Sequence, residues 1–380
     1  MRTKAAVLYE MGLPSPYAAS RPVQVREVEL EAPGPGEALV AVAAAGLCHS
    51  DLSVVNGTRP RPMPMVLGHE ASGIVRQVGP GPCDFHPGDH VVFSYVPTCG
   101  RCLPCVGGRA ALCEKGAAAN AAGTLLSGAR RFRDSAGRPL NHQLGVSAFS
   151  QLTVCAQESL VRIDPLFPLD KAALFGCAVL TGVGAAIHTA GVRPGESVVV
   201  VGLGGVGLCA VLGALLTGAC PVVAVDILDA KLAVARELGA THAVNAGEPG
   251  AGEAICEITG GGAHHALEAA GSDKALSFAY AVTRRGGTTV TIGLPPPDRH
   301  FSVPIVSLVG EERVVKGSYM GSSVPRRDVP KYLALHQAGR LPVDRLLTRA
   351  IQLEEINEAL DSLDRGEEIR QVILFDEEGA

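Results

Sequence analysis

Tryptophan is missing altogether, and Phe and Tyr bring the aromatic fraction of the 380 residues to only 4%. That scarcity removes the stacking platforms on which single-stranded nucleic acid is held. A basic block is missing too. Lys and Arg number 33 against 38 Asp and Glu, a net charge of −5, so neither nucleic acid nor an anionic membrane surface is an expected partner. Charged residues are sparse at 19%, but with 47% apolar residues the chain does not have the composition of a disordered one. The opening MRTKAAVLYEMG lacks an apolar run long enough for an export signal, and a cytoplasmic location is expected. In that setting the eleven cysteines are expected to be metal ligands or buried thiols, not a disulfide framework. No charge occurs from Ser197 to Val225, but six glycines and Pro221 interrupt the run. A buried strand–turn–helix–strand fits it better than a membrane span.

What is present divides the chain in two. Up to about residue 175, short β-branched runs such as 38–43, 73–78 and 89–93 alternate with Pro- and Gly-containing turns. They predict a mostly antiparallel β domain. From about Thr181 the texture becomes strand, helix, strand: 197–201, 205–216, 221–225, 230–238, 243–244, 252–258, 265–268, 274–282 and 288–292. Strands separated by helices of this length predict parallel βαβ units in a doubly wound sheet. Helices over 328–338 and 353–365 and a strand over 371–375 close the chain.

Gly202-Leu203-Gly204-Gly205-Val206-Gly207 follows an apolar strand and opens a helix. Glycines allow a tight turn and close backbone approach to a pyrophosphate, and the helix N-terminus offers unpaired N–H groups. Asp226 ends the next apolar strand, 19 positions after Gly207, where a carboxylate can bind a ribose 2′-hydroxyl. The same carboxylate would repel a 2′-phosphate, so NAD is expected over NADP. Lys231 either flanks the adenosine ribose or is an ordinary solvated lysine.

Cys99, Cys102, Cys105 and Cys113 put four thiols in fifteen residues. Four thiolates with no open position suit a structural zinc, with an iron–sulfur cluster or free thiols as the alternatives. A second, dispersed set combines Cys48-His49-Ser50-Asp51, Gly68-His69-Glu70 and Cys177. Two thiolates and one imidazole leave a fourth zinc position open, as a catalytic site requires, and Asp51 is placed to orient His69. By spacing alone, any one of these residues reads first as a buried cysteine or a satisfied core histidine, and the metal set is a hypothesis.

The chain resembles the zinc-dependent medium-chain alcohol dehydrogenase family. Gly68-His69-Glu70-x2-Gly73-x5-Gly79, the four-Cys lobe, the Gly176-Cys177 step and Gly202–Gly207 occur in that family's order, and the similarity runs from Lys4 to Phe375. The resemblance implies an α/β protein: a GroES-like, mostly β catalytic domain (1–178 and 320–380) plus a Rossmann doubly wound parallel-sheet domain (179–319). It implies two zinc ions per subunit. The catalytic one is on Cys48, His69 and Cys177 with Glu70 nearby, and the structural one on the four-Cys lobe. It places Arg370 and His49 at the pyrophosphate, Ile292 among the cofactor contacts, and Ser50 as the hydroxyl that bonds the alcohol. Tyr95, Leu144, Leu294 and Tyr319 become candidates for the substrate pocket. The expected activity is hydride transfer between an alcohol and its aldehyde or ketone and NAD, in a homodimer, because the segment 114–145 is long as in dimeric members.

Two positions depart from the pattern. Where members end a proton relay in histidine, this chain has Ser53. Where the glutathione-dependent formaldehyde dehydrogenase branch carries acidic residues, it reads Asn56-Gly-Thr-Arg-Pro-Arg-Pro62, which disfavours oxidation of a hydroxymethyl-thiol adduct. Arg59 and Arg61 there are either a solvated loop or an attraction for an anionic substrate. A catalytically silent NAD-binding protein is the remaining alternative.

Overall fold

Short β-branched runs punctuated by Pro and Gly build short strands, and the first part of the chain is made of them. The computed structural model describes residues 1–376, so the last four of the expected 320–380 segment lie outside the described residues. Ten strands come first: β1 (Arg2–Leu8), β2 (Val23–Leu30), β3 (Glu37–Leu47), β4 (Met65–Val66), β5 (Ala71–Val78), β6 (His90–Phe93), β7 (Phe132–Arg133), β8 (Pro139–His142), β9 (Leu152–Ala156) and β10 (Leu160–Arg162). The order β1-β2-β7-β8-β4 closes a barrel. Val7, Val28, Leu30, Leu39, Val66, Phe132 and Leu140 belong to one buried cluster with Val154. The long β3, apolar on both faces, is central to a second sheet, pairing with β5 and β9. Among the described residues two helices longer than four residues interrupt this β region: α1 (His49–Val55), directly after β3, and α2 (Glu114–Ala122) in the alanine-rich stretch.

Continuous apolar strands need cover on both faces, and the later part of the chain supplies it with helices. Strands β11 (Val198–Val201), β12 (Val222–Asp226), β13 (His242–Asn245), β14 (Ala263–Glu268), β15 (Thr283–Thr291) and β16 (Val314–Gly317) pair in the order β13-β12-β11-β14-β15-β16. Every pair is parallel. Helices α3 (Gly205–Leu216), α4 (Asp229–Glu237), α5 (Ala251–Thr259) and α6 (Asp273–Ala281) make the crossovers, and α7 (Ile305–Gly310) precedes β16. The strand order reverses between β11 and β14, the place where such sheets take ligands. The uncharged run 197–225 is therefore β11, the glycine loop, α3 and β12. Among the described residues no single helix is long and apolar enough to cross a membrane.

The chain ends with α8 (Pro325–Gln337), β17 (Leu347–Ile351), α9 (Ile356–Asp364) and β18 (Arg370–Leu374). β18 pairs with β3 and β17, returning the C-terminal strands to the sheet built on β3. Among the described residues two compact units result: Met1–Cys177 with Val324–Leu333 and the residues from Val343 on, and Ala178–Ser323 with Ala334–Pro342.

Candidate active site

Cys48 is the residue at which β3 gives way to α1. Its backbone is extended, and Asp51, three residues on, accepts from the Cys48 amide at 2.9 Å, closing the first turn of the helix. The other oxygen of Asp51 lies 2.8 Å from His69 Nδ1. One buried carboxylate therefore holds both the thiol-bearing turn and the imidazole. His69 sits between β4 and β5, after Gly68. That glycine has φ +98°, and a Cβ on it would come within 2.3 Å of the Phe149 nitrogen, so the turn that aims His69 inward requires glycine.

The ligand atoms of Cys48, His69, Glu70 and Cys177 all lie within 4.8 Å of one another, and all four residues are buried. His69 Nε2 is buried with no hydrogen-bond partner, a nitrogen aimed into a nest of sulfur and oxygen. Hydrogen bonding from Cys177 holds the Cys48 thiol well below its ordinary pKa against the upward push of burial, helped by His69 and Arg370. Burial alone would lower the His69 pKa, but Asp51 and Cys48 raise it to about 10. Two thiols and an orphaned imidazole nitrogen are a donor set that fits zinc. Glu70 is engaged differently: its carboxylate hydrogen-bonds the Arg370 guanidinium, and both are buried. Arg370, which the resemblance places at a pyrophosphate, thus spends one donor on Glu70, while its Nε has no partner.

Around this set, Ser50 is half-buried on the first turn of α1, and its hydroxyl has no hydrogen-bond partner among the described residues. His49 beside it is exposed. Ser53 Oγ donates to the His49 carbonyl at 2.8 Å, so its hydroxyl is committed to the helix. The Tyr95 ring meets the His69 ring edge-on at 5.8 Å. Leu144 is half-buried in the left-handed region, at φ 51°.

The ligand atoms of Cys99, Cys102, Cys105 and Cys113 also cluster within 4.8 Å of one another. The Cys99 and Gly116 amides point at the Cys113 sulfur, at 3.3 and 3.4 Å. Backbone N–H groups, that of Cys105 first, lower the Cys102 thiol to about 6, whereas burial and the Cys102 sulfur push Cys105 up to about 12. Four sulfurs crowded this closely suit a cation held at their centre.

In the second unit, the glycine loop lies between β11 and α3, and Gly204 caps α3 without a side-chain bond, leaving the first N–H groups of the helix available. Asp226 ends β12; one oxygen accepts from the Leu203 amide at 2.7 Å and the other from Ile227 and Leu228 at 2.8 and 3.1 Å. Lys231 is half-buried on α4. Ile292 is 7% exposed, Leu294 is 48% exposed, and Tyr319 is half-buried. Sequence reasoning passed over Glu268, a buried carboxylate at the end of β14; its signal is an acid closing an apolar parallel strand.

Comparison with known proteins decides what this arrangement belongs to. Residues 34–165 match the alcohol dehydrogenase GroES-like domain, and residues 205–338 match the zinc-binding dehydrogenase family. The chain is 40% identical to an NDMA-dependent alcohol dehydrogenase of Amycolatopsis methanolica, over 98% of this chain and 99% of that one. It belongs to the zinc-dependent medium-chain alcohol dehydrogenase family. Within that family it is 36% identical to an alcohol dehydrogenase class-3 of Cereibacter sphaeroides, over 99% of this chain and all of the other. A crystal structure of benzyl alcohol dehydrogenase from Acinetobacter calcoaceticus superposes with a TM-score of 0.90 at 32% identity, covering 99% of this chain and 100% of that one. For members of this medium-chain family the site is an oxidoreductase site acting on CH–OH groups.

Proposed function

We propose that the protein is an NAD- and zinc-dependent alcohol dehydrogenase, with residues 1–178 and 320–380 as its catalytic domain and 179–319 as its cofactor domain. The observation that carries the reading is the buried set Cys48, His69 and Cys177, with Nε2 of His69 unpartnered and the Ser50 hydroxyl two residues from Cys48. Zinc held there would supply Lewis acidity to the substrate oxygen, and a nicotinamide the hydride acceptor or donor. The rest is done by the chain. Asp51 keeps His69 Nδ1 occupied, so that Nε2 is the nitrogen left to face the metal. Ser50 accepts the alcohol's hydroxyl proton and passes it on. Ser53 cannot finish the relay, because its hydroxyl is already donated to the His49 carbonyl. Water or the exposed His49 ring takes the proton instead. Cys99, Cys102, Cys105 and Cys113 hold a second, structural zinc.

Screening primary, secondary and aromatic alcohols, with thiol–formaldehyde mixtures alongside, tests the activity and names the substrate class. NDMA belongs in the same screen, since a relative 40% identical is named for its dependence on it. About two zinc per chain fits the enzyme, and one fits a silent dinucleotide binder. Full activity after metal removal would overturn the reading. None of the eleven cysteines is in a disulfide, which suits a reducing, cytoplasmic compartment.

Cofactor choice rests on Asp226. A 2′-phosphate would set negative charge against a carboxylate already tied to three backbone amides, so NAD is preferred. Asp226→Ser is expected to narrow the NAD-over-NADP preference roughly tenfold, by raising KM for NAD and lowering it for NADP. Steady-state kinetics with both cofactors checks it, and equal use of the two by the wild type would refute it.

The homodimer is carried by the far edge of the parallel sheet. β16 is an edge strand with Val314 and Val315 exposed, and α7 before it exposes Ile305, Val306 and Val309 at 75% or more. An apolar edge strand left open invites pairing with a second copy. Val315→Pro is expected to shift the mass measured by light scattering from two chains to one. A wild type that is monomeric at micromolar concentration would refute the assignment.

A further inference from the structure

Glu268 is the last residue of β14, opposite Val201 of β11 and Thr291 of β15, at the point where the strand order reverses. It is 1% exposed, and neither metal centre nor proton path uses its carboxylate. One oxygen accepts from the Gly271 amide at 2.5 Å, and the other from the Thr291 hydroxyl at 2.9 Å. Its main-chain carbonyl accepts from the Ile292 amide at 2.8 Å. Burial raises the carboxyl's pKa, and these donors work against that rise. A single residue thus ties down the chain leaving β14 and the chain leaving β15.

The chain leaving β14 meets the glycine loop on one side and the chain leaving β15 on the other, each at backbone distance. A Cβ on Gly202 would come within 2.6 Å of the Ala270 nitrogen, and a Cβ on Gly293 within 2.2 Å of the Gly271 nitrogen and 3.2 Å of Glu268 Oε1. Gly202, residues 270–271 and Gly293 therefore form three backbone layers, and the position of the middle layer fixes the outer two. The middle layer is what the Glu268 carboxylate holds.

We propose that Glu268 is the positioning residue of the dinucleotide site, setting the spacing between the phosphate loop and residues 291–293 without touching the ligand. This rests on the reading of the second unit as a dinucleotide site. In Glu268→Gln the side-chain oxygen still accepts from the Gly271 amide and the NH2 donates to the Thr291 hydroxyl, which must turn its own proton elsewhere, so two bonds to a charged acceptor become neutral ones and the layers respace. Exchanging charge-assisted bonds for neutral ones is worth about tenfold.

The test is titration of the zinc-loaded protein with NADH, followed by nicotinamide fluorescence. Glu268→Gln is expected to raise the Kd about tenfold, with zinc content unchanged and kcat at saturating cofactor within about threefold of wild type. Thr291→Val, which removes one donor and keeps the strand residue's shape, is expected to raise it about threefold; it decides the matter if Glu268→Gln does not fold. A Kd within twofold of wild type in a folded variant overturns the proposal, as does lowered thermal stability with cofactor affinity intact. Wild-type protein that binds no NADH would instead overturn the dinucleotide reading, and this proposal with it.

Discussion

Cys48→Ala is expected to lower alcohol oxidation by ~10³-fold or more while leaving a folded protein that binds dinucleotide and retains one zinc. Losing the Lewis acid removes several kcal/mol of charge stabilisation at the reacting oxygen, and every ~1.4 kcal/mol is tenfold in rate. Glu70, whose carboxylate is also within reach of the set, is no ready substitute. Moving it to the metal would strip the buried Arg370 guanidinium of its partner, an uncompensated charge in the interior. The fold survives because Cys48 caps α1 mainly through backbone geometry, with Asp51 still accepting from its amide. Cys102→Ala should behave in the opposite way. A closed four-thiolate site contributes folding energy, so that variant is expected to lose thermal stability or solubility first. Metal analysis, thermal unfolding and turnover on both variants separate the two roles. Wild-type kcat in Cys48→Ala would remove the catalytic zinc assignment.

The parts of this site that were legible in the sequence are those whose chemistry is packed into a short stretch. Gly202–Gly207 with Asp226, and Cys99 to Cys113, declare themselves because one loop supplies nearly all the donors. Helix α3 at 205–216 coincides with its sequence reading because a glycine loop starts it and apolar residues run through it without charge. Cys177 is different: it stands more than a hundred residues from His69, and the dispersed set that joins them is one reading among others until the family resemblance singles it out. Nothing local announces that Glu70 will meet Arg370 across 300 positions, or that Glu268 will bridge two loops. Barrel closure through the two-residue strands β4 and β7 was equally hidden, since strands that short carry no periodicity to read. Helix α1 escaped the β reading of the first domain because its seven residues are nucleated by the Cys48–Asp51 capping bond rather than by composition.

Ser50→Ala is expected to lower kcat by ~10²-fold or more, the usual scale for removing a positioned proton-transfer group. An alcohol must lose its hydroxyl proton before or during hydride transfer. The hydroxyl of Ser50, on the first turn of α1, is free of other hydrogen bonds among the described residues and can both accept and donate. Ser53, one turn further on, stands where the family resemblance places the histidine of members that end the relay in one, but a serine does not titrate near neutral pH, and this one is bonded to the His49 carbonyl. With no base poised near pH 7 at that position, oxidation should depend on hydroxide or on the exposed His49 and should rise with pH. Ser53→His restores a group with an ordinary pKa near 6.5, above which it is neutral and able to accept the proton. That variant is therefore expected to raise kcat near pH 7 relative to pH 9, flattening the profile from the low-pH side. The pH dependence of kcat for wild type, Ser50→Ala and Ser53→His decides the matter. Near-full activity in Ser50→Ala removes Ser50 from the mechanism, and an unchanged profile in Ser53→His shows that the proton does not leave along α1.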